Sequence, residues 1–512
     1  MNTISFILIF TIVAYLIAML AVGFFFSKGN GDAKDFYLGG RKMGPLVTAM
    51  SAEASDMSSW LLMGLPGLAY LSGICEPVWT ALGLGVGTYL NWLFVAKRLR
   101  RYSANINAYT VPQFFSKRFH DDKNVLSLIA AIVIIVFFVP YTASGFAACG
   151  KLFNSLFGVN YLVAMILSAL VIVAYTVLGG FKAVSTTDFI QSCVMTLALV
   201  VVLGFGVSTA GGMDAVIENA KAIPGHLSLT NVFDLSTNSA ASYGGVIAIV
   251  STMAWGLGYF GMPHILLRFM AIEDENKLKL SRRVASIWVF IAMFAAIVIG
   301  VVGLGMTKAG AVEFLDTSSK SETLIVTIAA LISQHGFIAA VVAGLILAGV
   351  LAATMSTADS QLLAAASSVS ENIIVEFMGK KINEKQTLLI ARIAIIVIGA
   401  LGVLFALDPE SSVFRIVSFA WAGFGGAFGA LMLCALFWKR TTKEGALAGM
   451  ITGGAMVFIW KFVVRPLGGI WNIYELLPAF ILSLIAIVVV SLMSKAPEQD
   501  VIDEFEKAKS GN

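Results

Sequence analysis

Two carboxylates, Glu53 and Asp56, stand three residues apart in the stretch Thr48-Ala-Met-Ser-Ala-Glu-Ala-Ser-Asp-Met-Ser-Ser-Trp60. On a helix that spacing puts both on one face, with four serines around them. The surrounding segment is apolar, and an ionised carboxylate in mid-membrane costs roughly 2.5–3.5 kcal/mol even on insertion scales. It contains no Lys or Arg, so a bound cation is the economical partner. The plainer alternatives are a protonated acid or a water-filled vestibule. Gly64, Pro66 and Gly67 follow at once and offer a break in the helix.

A second constellation reads Trp255-Gly-Leu-Gly-Tyr259-Phe-Gly-Met-Pro263-His264. Its glycines fit G-x-G-x-x-G, but no strand precedes them and no βαβ unit surrounds them, so the dinucleotide fingerprint is rejected. Three glycines and a proline in one apolar helix instead predict an unwound or kinked stretch. Trp255, Tyr259 and Pro263 recur every four residues and line one side of it, either as a pocket wall or as an aromatic packing stripe. In the third stretch, Ala353, Ser356, Thr357 and Ser360 follow the i, i+3, i+4, i+7 pattern of a single helical face. Small hydroxyl residues let membrane helices pack closely. Hydroxyls and freed carbonyls are also hard oxygen ligands, suited to a small hard cation.

The elements that must position these residues are membrane helices. Of 512 residues, 58% are hydrophobic and 12% charged, with a mean hydropathy of +0.89; soluble proteins carry about 25% charged residues. Thirteen apolar segments are long enough to cross a bilayer, near 4–27, 44–71, 76–96, 124–150, 160–180, 187–209, 240–263, 284–307, 323–366, 387–406, 412–438, 445–463 and 471–494. The ninth is too long for one simple span, so part of it projects or bends. Backbone groups in lipid demand helices or a closed barrel, and runs without period-two alternation exclude the barrel. The first run lacks a preceding basic residue and outruns a signal-peptide core, so it reads as a retained span. Cys75, Cys149, Cys193 and Cys434 lie in or at the ends of apolar runs without ligand spacing and read as small buried hydrophobes.

Basic residues orient the chain. With the N-terminus outside, 27 of the 34 Lys and Arg fall on the cytoplasmic side, in the segments around 28–42, 97–123, 182, 268–283, 380–392, 439–443 and the tail. Lys151, Lys221, Lys308, Lys320, Arg415, Lys461 and Arg465 fall outside. That asymmetry fits an odd span count with the C-terminus inside. The second and seventh spans are both interrupted and lie five spans apart, the pointer to two inverted five-helix repeats with a midplane site. The chain then divides into a first helix and loop (1–43), a first repeat (44–209), an extracellular loop (210–239), a second repeat (240–438), two further helices (439–494) and a cytoplasmic tail (495–512).

With these stretches in place, the sequence resembles the sodium/solute symporter family. The resemblance is carried by LGGRKMGP (38–45), SAEASDMSSWLLMGLPG (51–67), YTASG (141–145), GGFKAVSTTDFIQ (179–191), WGLGYFGMPHILLRFM (255–270), LAATMSTADSQLL (351–363) and WAGFGGAFG (421–429). It implies an all-α polytopic fold of the leucine-transporter type and alternating access. It also implies a sodium site from Ala54, Met57, Ala353, Ser356 and Thr357, with Asp56 as the acid essential to cation coupling. Tyr141, Trp255, Tyr259 and Pro263 would form the substrate pocket, with Ser58 and Ser59 beside them on the broken span. Arg41 would lie at the cytoplasmic mouth and Asp188 on the turn between the fifth and sixth spans. The chain departs from the family's proline-carrying pattern at several positions. Glu53 and Ser59 stand where glycines are usual, and Met262 where a glutamine is. Pro140 precedes Tyr141, and Asp359 adds an acid near Thr357. Glu53 and Asp359 could bring a second cation or a proton to the site.

The expectation is therefore a sodium-driven importer of a small amino acid, L-proline first, in the inner membrane of a prokaryote. The alternative is a sodium- or proton-coupled importer of another small zwitterion or carboxylate. No cofactor, nucleic-acid partner or obligatory protein partner is expected; sodium is the coupling ion and the bilayer the surrounding phase. An enzyme is disfavoured because HExxH and Walker A motifs are missing and the four histidines are scattered. A sensor is disfavoured because only eighteen residues follow Ser494.

Overall fold

An apolar chain must satisfy its backbone polar groups internally, and this one does so almost entirely as helices. The computed structural model describes residues 3–27 and 33–510; Lys28, counted above among the basic residues, lies outside them. The first helix, α1, is Thr3–Ser27. A broken pair follows, α2 (Pro45–Asp56) and α3 (Leu65–Ser72), joined through a π-helical turn at Trp60–Gly64. Next come α4 (Cys75–Asn105), a short α5 (Val111–Arg118), α6 (Val125–Phe157) and α7 (Tyr161–Thr209). The following loop carries α8 (Met213–Lys221) and an antiparallel hairpin of β1 (Asn231–Asp234) and β2 (Ser239–Ser242), with Asn231 opposite Ser242.

The second half opens with another broken pair. α9 (Gly245–Met253) passes through 3-10 turns at Ala254–Phe260 into α10 (Pro263–Ala271), with a bend of 44°. α11 (Leu278–Lys308), α12 (Leu324–Ile332) and α13 (Phe337–Phe377) follow. The rest is α14 (Glu384–Phe405), α15 (Val413–Phe437), α16 (Lys443–Leu467), α17 (Leu476–Met493) and α18 (Gln499–Ser510). Among the described residues ten helices are long and apolar enough to cross a membrane, or eleven with the bent pair. Phe10, Phe294, Leu404 and Met493 point outward from the bundle, each more than half exposed; such side chains suit lipid rather than water. One end of the bundle carries the β-hairpin, and the other carries the basic loop after α4 together with α18; these are the hairpin face and the basic face.

Three boundaries differ from the sequence reading. The long ninth run is divided: Gly336 turns the chain with φ 104°, so α12 is a separate short helix. α13 then runs to Phe377, past the expected end at 366. The seventh span continues beyond 263, because Pro263 starts α10 at a position where a missing N–H costs nothing; Arg268 therefore belongs to a helix and not to a basic loop. Between 180 and 187 there is no loop. The chain breaks at Gly180 alone (φ 69°, ψ 176°), a conformation that glycine adopts without a Cβ clash, and is helical again at once. The cysteine reading is also corrected at one position, since Cys193 faces outward while the other three are buried.

The second broken pair meets α4 through glycine. On α4, Gly83 packs so tightly on the 254–260 turns that a Cβ on Gly256 would stand 2.0 Å from its carbonyl oxygen. Only backbone fits there, and the contact sets how deeply the second break sits in the bundle.

Candidate functional site

α2 ends because Met57 leaves helical geometry (φ −76°, ψ 70°), which turns its carbonyl off the helix axis. A tight turn follows, with Met57 N–H donating to the Glu53 carbonyl at 2.7 Å and Ser58 N–H to the Asp56 carbonyl at 2.8 Å. This puts Asp56 at the tip of the half-helix, where three elements converge on it and a fourth, α15, packs behind. Trp60 Nε1 donates to the Asp56 carbonyl at 3.0 Å and Tyr141 Oη, from α6, at 3.4 Å. The Tyr259 hydroxyl, from the 254–260 turns, donates to Asp56 Oδ2. From α15, Trp421 Nε1 donates to Tyr141 Oη at 3.2 Å. Asp56 and Tyr259 are fully buried, and Asp56 Oδ1 has no partner among the described residues.

One turn away, α13 closes on the same half-helix. Ser356 Oγ donates to the Ala54 carbonyl at 2.8 Å and to the Ala353 carbonyl at 3.2 Å. Thr357 Oγ1 donates to the Ala353 carbonyl at 3.2 Å. Four of the five expected sodium ligands are thus linked directly, and the fifth, Met57, is the residue at the helix break. The donor set is entirely hydroxyl and carbonyl oxygen, which fits a hard alkali cation and not a soft metal. Among the described residues no group of three or more His, Cys, Asp or Glu is placed to hold a metal.

The other expected acids are held elsewhere. Glu53 Oε1 accepts from Thr88 Oγ1 at 3.0 Å and Trp92 Nε1 at 2.8 Å, both on α4. Asp359 Oδ1 accepts from Ser360 Oγ at 3.3 Å and lies within electrostatic reach of Asp188 and Arg268. Asp188 is not on a turn: it lies in the second leg of α7, fully buried, because the break falls earlier, at Gly180. Its Oδ2 accepts from Ser51 Oγ at 2.6 Å and Arg268 Nη2 at 3.1 Å. Arg268 also donates to Ser360 Oγ at 2.6 Å, Ser51 Oγ at 3.1 Å and the His264 carbonyl at 2.8 Å. This buried ion pair ties α2, α7, α10 and α13 together, and the sequence reading missed it. The available signal was Pro263, whose position as a helix start puts Arg268 on a helix.

The remaining expected residues separate by depth. Ser58 lies next to Trp60, whose N–H points to its Oγ at 3.4 Å; Ser59 Oγ is buried without a described partner. Pro263 opens α10 and is buried, with Met262 as its N-cap, fully buried as well. The Trp255 ring packs on Trp60 (5.8 Å between centroids), Phe414 (5.1 Å) and Trp421 (6.4 Å). It lies toward the hairpin face and forms part of the wall of a cavity there. Arg41 lies at the basic face, and its guanidinium donates to three carbonyls: Met270 at 2.6 Å, Ser103 at 3.0 Å and Ala108 at 2.5 Å. Burial and nearby Arg100 bring that guanidinium down to about 10, so it stays charged at neutral pH.

Two interrupted helices around a polar centre, inside an apolar bundle, define a secondary-transporter fold. A substrate-bound, outward-open Na+-coupled sialic acid symporter has the same fold, with a TM-score of 0.79 at 19% identity over 96% of this chain and 99% of that one. The chain belongs to the sodium:solute symporter family, whose profile matches residues 36–453. It is 41% identical to the osmoregulated proline transporter OpuE of Bacillus subtilis (strain 168), over 94% of each chain. It is likewise 41% identical to the sodium/proline symporter of Haemophilus influenzae, over 98% of this chain and 97% of that one.

Proposed function

We propose that this chain imports L-proline by coupling it to sodium, through alternating access at the centre built around Asp56. The observation that carries the reading is the contact between Ser356 of α13 and the Ala54 carbonyl of α2, one turn from the Asp56–Tyr259 contact. A relative named as a sodium/proline symporter, 41% identical over nearly the full length, supports the solute and the ion.

On this reading sodium takes oxygens from Ala54, Met57, Ala353, Ser356 and Thr357, and binding it draws α2 and α13 together. Asp56 supplies the nearby negative charge. The proline carboxylate meets the start of the half-helix at Ser58 and Ser59, where the helix dipole favours anions and the Ser59 hydroxyl is buried without a described partner. Its ring packs among Tyr141, Trp255, Tyr259 and Pro263. With both sites filled, one bundle rocks and the basic face opens, releasing the clamp of Arg41 on its three carbonyls. Each inward charge gains about 2.3 kcal/mol per 100 mV of membrane potential. Glu53 and Asp359 serve helix packing and the Arg268 network before they serve coupling.

We further propose thirteen spans with the N-terminus outside, and the division of the chain given above, in the inner membrane of a bacterium. In support, the break at Gly180 divides α7 into two crossings, and each broken pair makes one more beyond the ten long helices. A second reading, a small zwitterion other than proline, is favoured by Met262, an apolar, fully buried side chain next to the pocket. Uptake of radiolabelled L-proline into proteoliposomes under an imposed sodium gradient, competed by other amino acids, tests both. Uptake that persists in choline, or that a proton gradient alone drives equally, would overturn sodium coupling.

A further inference from the structure

We propose that the cavity above Trp255 on the hairpin face is a second, transient binding site for the zwitterionic solute, which it loads before the central site. The inference rests on the function proposed above and on that face being the outer one. The cavity holds about 420 Å³, room for a small amino acid. Its wall includes Glu76, Arg415, Lys461 and Arg465, with Trp255 and Phe414.

The charges do not balance. Arg415 holds Glu76 with two bonds, Nη1 to Oε1 at 2.7 Å and Nη2 to Oε2 at 3.1 Å. Lys461 and Arg465 share one acid, Glu475, which is 1% exposed, while their own side chains are 28% and 35% exposed. Arg465 Nη1 takes Oε2 at 3.0 Å, and Lys461 Nζ stands 3.7 Å from Oε1, beyond hydrogen-bond length. The ammonium rests instead over the Phe419 ring, at 4.2 Å. Three cations thus face two carboxylates, and the least satisfied of them lines the cavity. Tyr243 and Tyr474, also in the wall, are neutral at physiological pH and leave that excess unchanged.

A zwitterion matches this wall at both ends. Its carboxylate answers Lys461 and Arg465, and its ammonium answers Glu76. The apolar body finds aromatic rings, with Trp255 at 5.1 Å from Phe414 and 5.8 Å from Tyr474 between centroids. Trp255 is the shared wall between the two sites. It lines the cavity and also packs on Trp60 and Trp421, and Trp421 touches Tyr259 and Tyr141. A swing of that one indole would join the two compartments. The zwitterion has no net charge, so the excess positive charge acts at short range: it orients the arriving solute carboxylate first and holds that end at Lys461 and Arg465.

The test is initial-rate uptake of L-proline by reconstituted full-length protein, comparing wild type with Lys461→Gln, Arg465→Gln and the charge-preserving Lys461→Arg. Ionic strength is varied with choline chloride against sucrose at fixed sodium. The expected result is a KM roughly three- to tenfold higher in either Gln variant, with maximal rate and sodium half-saturation unchanged and KM restored in Lys461→Arg. Wild-type KM should rise with ionic strength, and that slope should flatten in the Gln variants. Active Gln variants with wild-type KM and wild-type salt slope overturn the vestibule site while sodium-driven uptake stands. Should one Gln variant not reconstitute, the other carries the same comparison. Wild type that takes up no proline under a sodium gradient overturns the parent reading instead.

Discussion

Ser356 Oγ donates a 2.8 Å hydrogen bond to the carbonyl oxygen of Ala54, joining α13 to the last turn of α2 across 302 positions of sequence. A hydroxyl that donates to a carbonyl keeps its own lone pairs, so a cation placed between them would use both oxygens once the O–H turns away. The same two helices are therefore held either by a hydrogen bond or by an ion. Four measurements follow from this centre and its supports.

Replacing both hydroxyls, Ser356→Ala with Thr357→Ala, removes two of five proposed ligands. Sodium half-saturation should rise at least about tenfold, or ~1.4 kcal/mol, while solute binding at saturating sodium falls less. Sodium titrations of uptake in proteoliposomes read this directly, and an unchanged titration curve would defeat the assignment.

Tyr259→Phe deletes the donor to Asp56 Oδ2 in a fully buried place. Leaving that oxygen unpaired should cost about 1–3 kcal/mol. Asp56→Asn alone should abolish sodium stimulation. In a double-mutant cycle on thermal unfolding, adding Tyr259→Phe to Asp56→Asn should cost less than adding it to wild type. Strictly additive costs would mean that the two side chains do not act together.

Arg268→Gln leaves Asp188 and Asp359 buried without their cation. Breaking a buried pair in this way costs roughly 3–5 kcal/mol. The variant should be thermally labile in detergent, and Asp188→Asn in the same chain should recover part of the loss. Wild-type stability of the single variant would refute the network.

Gly256→Ala places a methyl 2.0 Å from the Gly83 carbonyl. Neither backbone can yield without moving the break in the α9–α10 pair, so the variant should express poorly or lose transport. A fully active, stable Gly256→Ala protein would show that α4 and the 254–260 turns are looser than they stand here.

Most of the architecture was legible because a bilayer leaves few options. Apolar runs had to become helices, and the glycines before Pro263 marked one break; the other falls at Met57, ahead of the Gly64–Gly67 cluster expected to open it, and that cluster stays helical. The boundaries that went astray turned on single residues. Gly180 replaces a whole loop, Gly336 splits a run that reads as continuous, and Pro263 begins a helix where one was expected to end. Arg268 was invisible as an intramembrane residue for that last reason, since a basic residue after a proline reads as a loop.

The sequence by itself determined which residue types stand at the centre: paired acids, clustered hydroxyls and three aromatic or proline positions on one face. Periodicity is a local property, so it survives without a fold. What only the tertiary structure decided is where each polar group points. Glu53 and Asp56 share a helical face in the sequence, yet one is held by Thr88 and Trp92 of α4 and the other by Tyr259. Asp188, Arg268 and Ser360 come from three distant segments and meet in one buried cluster. Such partners are chosen by helix packing over hundreds of residues, and no spacing along the chain encodes them.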